Sequence, residues 1–197
     1  MSFKTLQPNT GSIHVIDGDP LDKAGATVQP ATGGIVVKQV QFGPFCQTTL
    51  ILNNVPQAVV NGTEYQGTKI YDFPQGRILV MGVTATLQQK TTSAIDTTLN
   101  SATGAIALGT ATASNVSLTG TMVDLLPSTA FTSSATINVA GTAVSAALAA
   151  SAQFDGTTTA KDVFLNTAYA TTTDVDGNAT QTISGTVVIT WTQLGDY

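Results

Sequence analysis

The sequence predicts an all-β protein: an antiparallel β-sandwich, jelly-roll-like, with an extended N-terminal arm and at most one short helix near residues 121–127. Runs rich in Val, Ile, Thr, Phe and Tyr recur along the chain, and turn signals interrupt them roughly every 8 to 12 residues. Helical periodicity is scarce. The 197 residues, 42% of them hydrophobic, suffice for one sandwich domain over 34–197 and an arm over 1–33.

The first 33 residues differ from the rest because turn signals such as Pro8, Gly11, Pro20 and Gly33 follow one another closely. Only 13–16 has the composition of a strand. We interpret this segment as an extended arm or a loosely packed first hairpin. An arm that crosses a neighbouring subunit and one that wraps its own domain both fit the sequence.

Strands are predicted in order from residue 35. The runs 35–42 and 45–52 should form a hairpin through Gly43 and Pro44, with the second strand ending at Asn53. Further strands are expected at 57–60, 68–73, 77–87, 93–99 and 105–108. The short helix is expected over 121–126, closed by Pro127. The Ala-rich stretch 143–152 has helix propensity, but its flanking Thr and Phe residues favour a strand.

The C-terminal third contains two predicted strands, 161–170 and 181–194. They flank Asp174-Val175-Asp176-Gly177-Asn178, which is typical of a hairpin turn because these residues tolerate positive φ. In the last strand Thr186, Val188, Thr190 and Thr192 share one face, and Val187, Ile189, Trp191 and Gln193 share the other. We expect the face with Trp191 to lie in the core.

Charged residues make up only 10% of the chain, against about 25% in ordinary soluble domains. Thr, Ser, Asn and Gln replace them. Burying a hydroxyl that finds a partner costs far less than burying a charge, so this composition is typical of a subunit packed among copies or held in a stable extracellular particle. A secreted or Thr-rich surface domain is the alternative.

Nucleic acid and membranes are not expected partners. The formal net charge is −5, Arg77 is the single arginine, and the lysines are scattered singly, whereas phosphate binding requires clustered cations. No apolar run approaches the ~18 residues that span a bilayer. The start of the sequence lacks the basic and apolar segments of a secretory signal, so export by the general pathway is not expected.

The sequence also predicts that the chain is not an enzyme. We expect no catalytic, cofactor-binding or metal-binding residues. His14 is the only histidine and Cys46 the only cysteine, which leaves no disulfide framework. We expect His14 to be exposed or packed and Cys46 to be a small buried thiol; a nucleophilic pair of the two is the less favoured alternative. No nucleophile elbow, phosphate-binding loop, dinucleotide fingerprint or Cys/His metal spacing occurs.

Two acidic turns and three glycosylation sequons are weaker signals. The turn from Asp174 to Asn178 resembles the start of a calcium loop but has Gly185 where a Glu is needed, and Asp17, Asp19 and Asp22 form a similar cluster. A plain turn is favoured in both. The sequons at Asn61, Asn115 and Asn178 are expected by chance in a chain this rich in Asn, Ser and Thr.

Several segments resemble a family of tailed-bacteriophage head proteins described as minor capsid, decoration or cement proteins. They are VQFGPF at 40–45, YDFPQGRI at 71–78, FDGT at 154–157, AKDVFLN at 160–166 and GTVVITWTQLGDY at 185–197. None is a catalytic signature, and the segment before residue 33 has no counterpart.

The resemblance implies a structural virion protein, a β-sandwich subunit on the capsid exterior that bridges and stabilises major capsid proteins. A homotrimer at local three-fold axes is the first expectation for self-assembly and a dimer at two-fold sites the second. The main alternatives are a tail, fibre or receptor-binding module, for which no repeats are present, and a carbohydrate-binding module, which needs exposed aromatic residues.

Overall fold

The computed structural model describes residues 14–17, 34–60, 62–91, 103–132, 143–146, 153–169 and 178–195. Two antiparallel sheets are packed together, which confirms the predicted all-β sandwich. The strands are β1 His14–Asp17, β2 Gly34–Phe42, β3 Phe45–Val59, β4 Tyr65–Asp72, β5 Gly76–Thr91, β6 Thr103–Gly109, β7 Leu126–Thr132, β8 Ala143–Ala146, β9 Gln153–Gly156, β10 Asp162–Tyr169 and β11 Ala179–Gly195.

The larger sheet has the order β1-β2-β3-β11-β5-β8, with β9 also paired to β5, and the smaller sheet has the order β4-β10-β6-β7. Alternate residues of β3 and β11 point between the sheets, so Leu50, Leu52, Val187 and Ile189 are fully buried. The core therefore lies between the two sheets, and each sheet has a second face that points outward.

Aromatic rings join the two layers at one end of the sandwich. Phe73, which follows β4, meets Trp191 of β11 edge to face with ring centroids 5.5 Å apart, and Tyr71 meets Phe73 at 5.3 Å. Trp191 is buried, as predicted, and its Nε1 donates to Thr48 Oγ1 at 2.9 Å. Such ring pairs add about 0.5–1.5 kcal/mol each beyond the area that they bury.

The β2–β3 hairpin is confirmed: Phe42 pairs with Phe45 across Gly43, whose φ is +59°, and Pro44. The predicted end of β3 at Asn53 is wrong, because β3 continues to Val59 and includes 57–59 of the separate strand predicted at 57–60. Asn54 takes a positive φ of 52°, and the chain bends there without leaving the sheet. Among the described residues β2 pairs with β3 only as far as Asn53, so at Pro56 the strand is paired on one side alone, with Thr182 of β11, and such an edge tolerates proline.

The predicted hairpin between the last two strands is also wrong. β10 pairs with β4 and β6 in the smaller sheet, whereas β11 pairs with β3 and β5 in the larger sheet. Each strand already has two neighbours, so neither offers an edge to the other. The connection therefore passes from one sheet to the other. The turn residues 174–177 lie outside the described residues.

The remaining predictions have mixed outcomes. The helix is a single 3-10 turn, Gly120–Met122, and β7 begins at Leu126, where the helix was expected to end. Pro127 fits in β7 because it falls at an irregularity in the pairing with β6. Strands are confirmed at 68–73, 77–87 and 105–108, although their ends differ, and over the first part of 143–152. The predicted strand 93–99 lies outside the described residues.

The predicted division at residue 33 falls just before β2. Within 1–33 only β1 is described, and it pairs antiparallel with β2 from His14 beside Gln41 to Asp17 beside Lys38. The other residues predicted to form the arm lie outside the described part of the chain.

Candidate interaction surface

The outward face of the larger sheet carries many exposed or half-buried side chains. Its rows follow from the strand register: Lys38, Thr49, Val188 and Thr84 lie side by side on β2, β3, β11 and β5. We call this surface the open face. It consists of Val36, Lys38, Val40, Phe42, Phe45, Gln47, Thr49, Ile51, Met81, Thr84, Thr86, Thr186, Val188 and Thr190.

Apolar side chains on the open face are accessible to an unusual degree. Val36, Phe42, Phe45 and Met81 are 37%, 45%, 43% and 36% exposed. Met81 stands at a β-bulge, where β11 has no residue to pair with it, and points outward beside Thr190. Clustered exposed apolar side chains mark interaction sites more often than single ones do.

The open face is also almost free of charge. The charged residues in its rows are Lys38 on β2 and Asp17 on β1, which pairs with Lys38, and Arg77 and Asp155 pair beyond the rows at one corner of the sheet. The described carboxylates Asp72, Asp124 and Asp162 belong to the smaller sheet and its connections. The surface therefore presents hydroxyls, amides and aliphatic groups, none of which requires a counter-ion when it is buried.

The corresponding face of the smaller sheet is covered by the chain itself. Residues 110–125, which connect β6 to β7, form a small second core with that sheet. Its buried members are Ala107, Ala113, Leu118 and Ala168. The two outward faces of the sandwich are thus different: among the described residues, a covering loop lies over the smaller sheet and none lies over the larger one.

Asn166 of β10 fastens this covering loop. Its side chain is fully buried; Oδ1 accepts from Ala113 N at 2.8 Å, and Nδ2 donates to the carbonyls of Ala111 at 2.9 Å and Met122 at 2.8 Å. Asp124 holds the start of the loop by accepting from Thr110 N at 2.8 Å and Thr110 Oγ1 at 2.6 Å. Burial raises the pKa of Asp124, against the lowering effect of the Thr110 hydrogen bonds.

Cys46 and His14 lie on either side of the same residue. Both pair with Gln41 of β2, so two strand spacings, about 10 Å, separate their backbones. Cys46 is buried, and burial raises the pKa of its thiol despite a hydrogen bond with Gln39 that lowers it. A thiol of this kind is the opposite of an activated nucleophile. The predicted buried thiol is confirmed.

Two carboxylates meet at the end of β4 and the start of β10. Asp72 pairs directly with Asp162, and Lys69 Nζ contacts Asp72 Oδ1 and, at 3.0 Å, Asp162 Oδ1. Burial, and next the hydrogen bond with Asp162, raise the pKa of Asp72 to about 6, although Lys69 opposes the shift. Burial also acts on Asp162, but its hydrogen bonds with Asp72 and Lys69 hold its pKa below the usual range.

A polar layer crosses the core at the opposite end. Gln57 and Gln181, both fully buried, pair across β3 and β11. Gln57 Oε1 accepts from Thr167 Oγ1 at 3.3 Å, and Gln181 Oε1 accepts from Tyr169 OH at 2.8 Å. Neither amide nitrogen has a hydrogen-bond partner in the described protein. Amides do not titrate, so this layer contributes to specific packing and offers no group for proton transfer.

The weaker candidates of the sequence gain no support from the described residues. No group of three or more His, Cys, Asp or Glu side chains in the described ranges could hold a metal ion, and no helix there is long and apolar enough to cross a membrane. Asp174, Asp176, Asp19 and Asp22 lie outside those ranges. Of the sequon asparagines, Asn61 is not described and Asn115 and Asn178 are exposed.

The sequence predicts the open face only in part. Alternation in the last strand correctly placed Thr186, Val188 and Thr190 opposite Val187, Ile189 and Trp191. It did not show which strands flank β11, because pairing between distant segments leaves no local pattern. Asn166 and the Asp72–Asp162 pair were missed for the same reason.

Comparisons of the chain with protein-family models, with curated proteins and with solved structures find no match.

Proposed function

We propose that the chain is a structural virion protein, a minor capsid or decoration subunit that binds the outer surface of a virus shell and stabilises it by bridging major capsid proteins. The observation that carries the proposal is the open face, an accessible and nearly uncharged sheet surface. A subunit that lies between others must bury much of its surface at little desolvation cost, and hydroxyl and aliphatic groups meet that requirement.

The segments that resemble phage head proteins contribute to the open face. VQFGPF at 40–45 forms the β2–β3 hairpin, which presents Phe42 and Phe45, and GTVVITW at 185–191 lies in β11, the central strand of the larger sheet. Thr192 Oγ1 donates to Pro44 O at 2.6 Å and so holds the hairpin tip to β11. The two segments thus form one continuous surface, which supports a shared structural role.

The acidic character of the chain favours the outside of the shell. With a net charge of −5, the subunit would be repelled by packaged nucleic acid. A subunit that contacts two capsomers at once makes their separation require the loss of both contacts, which raises the stability of the shell against internal pressure.

The test is made on particles produced with and without this chain. We expect copy counting by mass spectrometry to find hundreds of copies per particle, and particles without the chain to release their nucleic acid at a lower temperature. Adding the purified chain back should restore stability. A handful of copies per particle, or equal heat resistance with and without the chain, would contradict the proposal.

Two matched variants test whether the open face is responsible for the heat resistance of the particles. Phe45→Asp places a charge on the open face, whereas Val60→Asp changes another exposed apolar residue, 44% exposed, which follows the end of β3 and is separated from Phe45 by roughly 50 Å of extended chain. We expect F45D to restore less heat resistance than the unmodified chain and V60D to restore it fully. Equal restoration by both variants would remove the open face from the mechanism.

A receptor-binding module is the second candidate, since Phe42 and Phe45 are an exposed aromatic pair at a hairpin tip. Aromatic platforms of this kind stack on sugars. Trp191 is buried and not available for that purpose. Specific binding on a glycan array, abolished by F45D and retained by V60D, would favour this candidate over the decoration subunit.

A further inference from the structure

We infer that the open face is a two-fold interface, on which a second copy of this chain packs sheet against sheet. The hydrogen-bonding groups of the open face are complementary to those of an identical face. A threonine hydroxyl both donates and accepts hydrogen bonds, and so does a glutamine amide. Thr49, Thr84, Thr86, Thr190 and Gln47 can therefore be satisfied by the same groups on an identical face, which a surface of carboxylates could not be.

Charge does not oppose this contact. The chain carries a net charge of −5, so two copies repel each other at most orientations. The four strands of the open face carry no carboxylate there, and their one charged residue, Lys38, pairs with Asp17 of the edge strand β1, so the two opposite charges lie together at the edge of the sheet. Approach through this face keeps the acidic residues of the smaller sheet on the outside of the pair, where water screens them.

The dimensions of the face set the strength of the contact. Four strands about 4.8 Å apart and seven residues of about 3.4 Å each give a patch of about 20 by 24 Å. Two such patches, with their side-chain relief, bury about 1,000 Å² in total, near the lower limit for a specific interface. We therefore expect a reversible dimer that dissociates on dilution in the micromolar range.

A two-fold pair differs from the trimer that the resemblance to head proteins implies. A closed three-fold ring requires two different complementary patches on each subunit, whereas one self-complementary patch gives an isologous pair. The described residues present one such nearly uncharged sheet face, since the other outward face is covered by 110–125. The dimer does not depend on the proposed capsid role, because any assembly of this chain could use it.

The test is the oligomeric state of the purified full chain, measured by sedimentation velocity from about 1 to 200 μM. We expect a monomer–dimer equilibrium in the unmodified chain. Val36→Asp and Thr84→Asp each place a carboxylate on an exposed position of the open face, so both variants should be monomeric at 200 μM. Near-ultraviolet circular dichroism of Trp191 confirms that each variant is folded.

Two controls carry the same substitutions elsewhere. Val60→Asp lies beyond the bend in β3, and Thr119→Asp lies in the loop over the smaller sheet, where Thr119 is exposed. Both should dimerise like the unmodified chain. A monomer at every concentration, or a dimer or trimer that survives V36D and T84D, overturns the inference. If the unmodified chain is monomeric and V36D and T84D lower its free energy of unfolding, other residues of this chain cover the open face. That outcome also overturns the inference.

The result separates this inference from the proposed function. Loss of dimerisation is measured on the chain alone, and shell stabilisation is measured on particles. A monomeric chain that still protects particles leaves the capsid role standing and removes only the two-fold interface.

Discussion

Asn166 holds the loop that covers the outward face of the smaller sheet. It stands in the middle of β10, where its neighbours on the outward side are Ala107 and Ala168, and it binds the backbone of the covering loop at three points. An amide is the only side-chain group that supplies both the acceptor for Ala113 N and the donors for the carbonyls of Ala111 and Met122. Alanine residues beside it leave room for the loop to approach.

Replacing Asn166 by Ala should destabilise the protein strongly. The change leaves one buried N–H and two partly buried carbonyls without these partners, and we expect a loss of about 3 kcal/mol in the free energy of unfolding. Asn115→Ala is the control, because Asn115 is exposed in the same loop and accepts only from Ser117 N; its effect should stay below about 1 kcal/mol. Urea titration followed by Trp191 fluorescence measures both, and equal losses would contradict the anchoring role.

The Asp72–Asp162 pair makes stability depend on pH. The pKa of Asp72 is raised from 3.8 to about 6 in the folded protein, so the folded state holds a proton that the unfolded chain releases. Its stabilising contribution is therefore complete below about pH 4 and is lost as the pH rises through 6. Asp162 has a lowered pKa and acts in the opposite sense, so its contribution is lost as the pH falls below 4.

Asp72→Asn should remove the fall in stability between pH 4 and pH 7. The amide remains neutral beside Asp162, and above pH 6 we expect the variant to exceed the unmodified protein by on the order of 1 kcal/mol, since solvent screens these partly exposed groups. Lys69→Met removes the cation between the carboxylates and should move the fall to higher pH. Unfolding free energies at half-unit pH steps measure both effects. If the free energy of unfolding of D72N varied with pH in parallel with that of the unmodified protein, this explanation would be wrong.

At the scale of the element, β11 is built around a bulge at Gly185. Gly185 has a φ of +143°, and the pairing with β3 shifts between Ile183 and Gly185, opposite the bend at Asn54. Asn54 N donates to Ser184 Oγ at 2.9 Å, and Ser184 Oγ donates to Asn54 Oδ1 at 3.2 Å. The two irregularities are matched, so both strands bend together and the sheet remains paired on each side of the bend.

Gly185→Ala should disrupt that bend. A Cβ at this position would overlap the carbonyl oxygen of Thr86, and its φ is one that L residues rarely adopt; together these effects should cost about 2–5 kcal/mol. Gly82→Ala on the adjacent strand β5 is the matched control, since an added Cβ there meets no atom within 4 Å. We expect thermal unfolding of G82A within a few degrees of the unmodified protein. A comparable loss in both variants would argue against a special conformation at Gly185.

Sequence patterns predicted single strands well and the relations between strands poorly. Branched residues placed β2, β5 and β10, and alternation gave the core face of β11 for Val187, Ile189 and Trp191. The alternation fails at Gln193, which is exposed although its β5 partner Ile78 is buried. The pairing of β11 with β3 ends one residue earlier, and Gln193 Nε2 donates to Gln75 O at 2.6 Å. Turn residues after β10 indicated a hairpin, but the choice of sheet depends on edges that other strands already occupy, which no local pattern reveals.

For the molecule as a whole, the last strand is the centre of the larger sheet. β11 pairs with β3 along 179–192 and with β5 along 181–195, so it pairs with residues that lie 90 to 147 positions earlier in the chain. Its inward residues Ile183, Val187, Ile189 and Trp191 are all buried. Without β11, β3 and β5 would have two long unpaired edges and would lose the surface against which the smaller sheet packs.

Removing residues 179–197 should therefore abolish cooperative folding of the entire chain, including the smaller sheet, which these residues do not pair with. A chain that ends at Gly195 is the control, because it keeps β11 complete, and it should unfold in a single transition. Far-ultraviolet circular dichroism and Tyr fluorescence during urea titration compare the two, since the shorter chain lacks Trp191. If the chain ending at Asn178 kept a sharp transition, the smaller sheet with its covering loop would be an independent folding unit. Because most of these strand contacts join distant segments, the complete chain should refold in milliseconds to seconds rather than in microseconds.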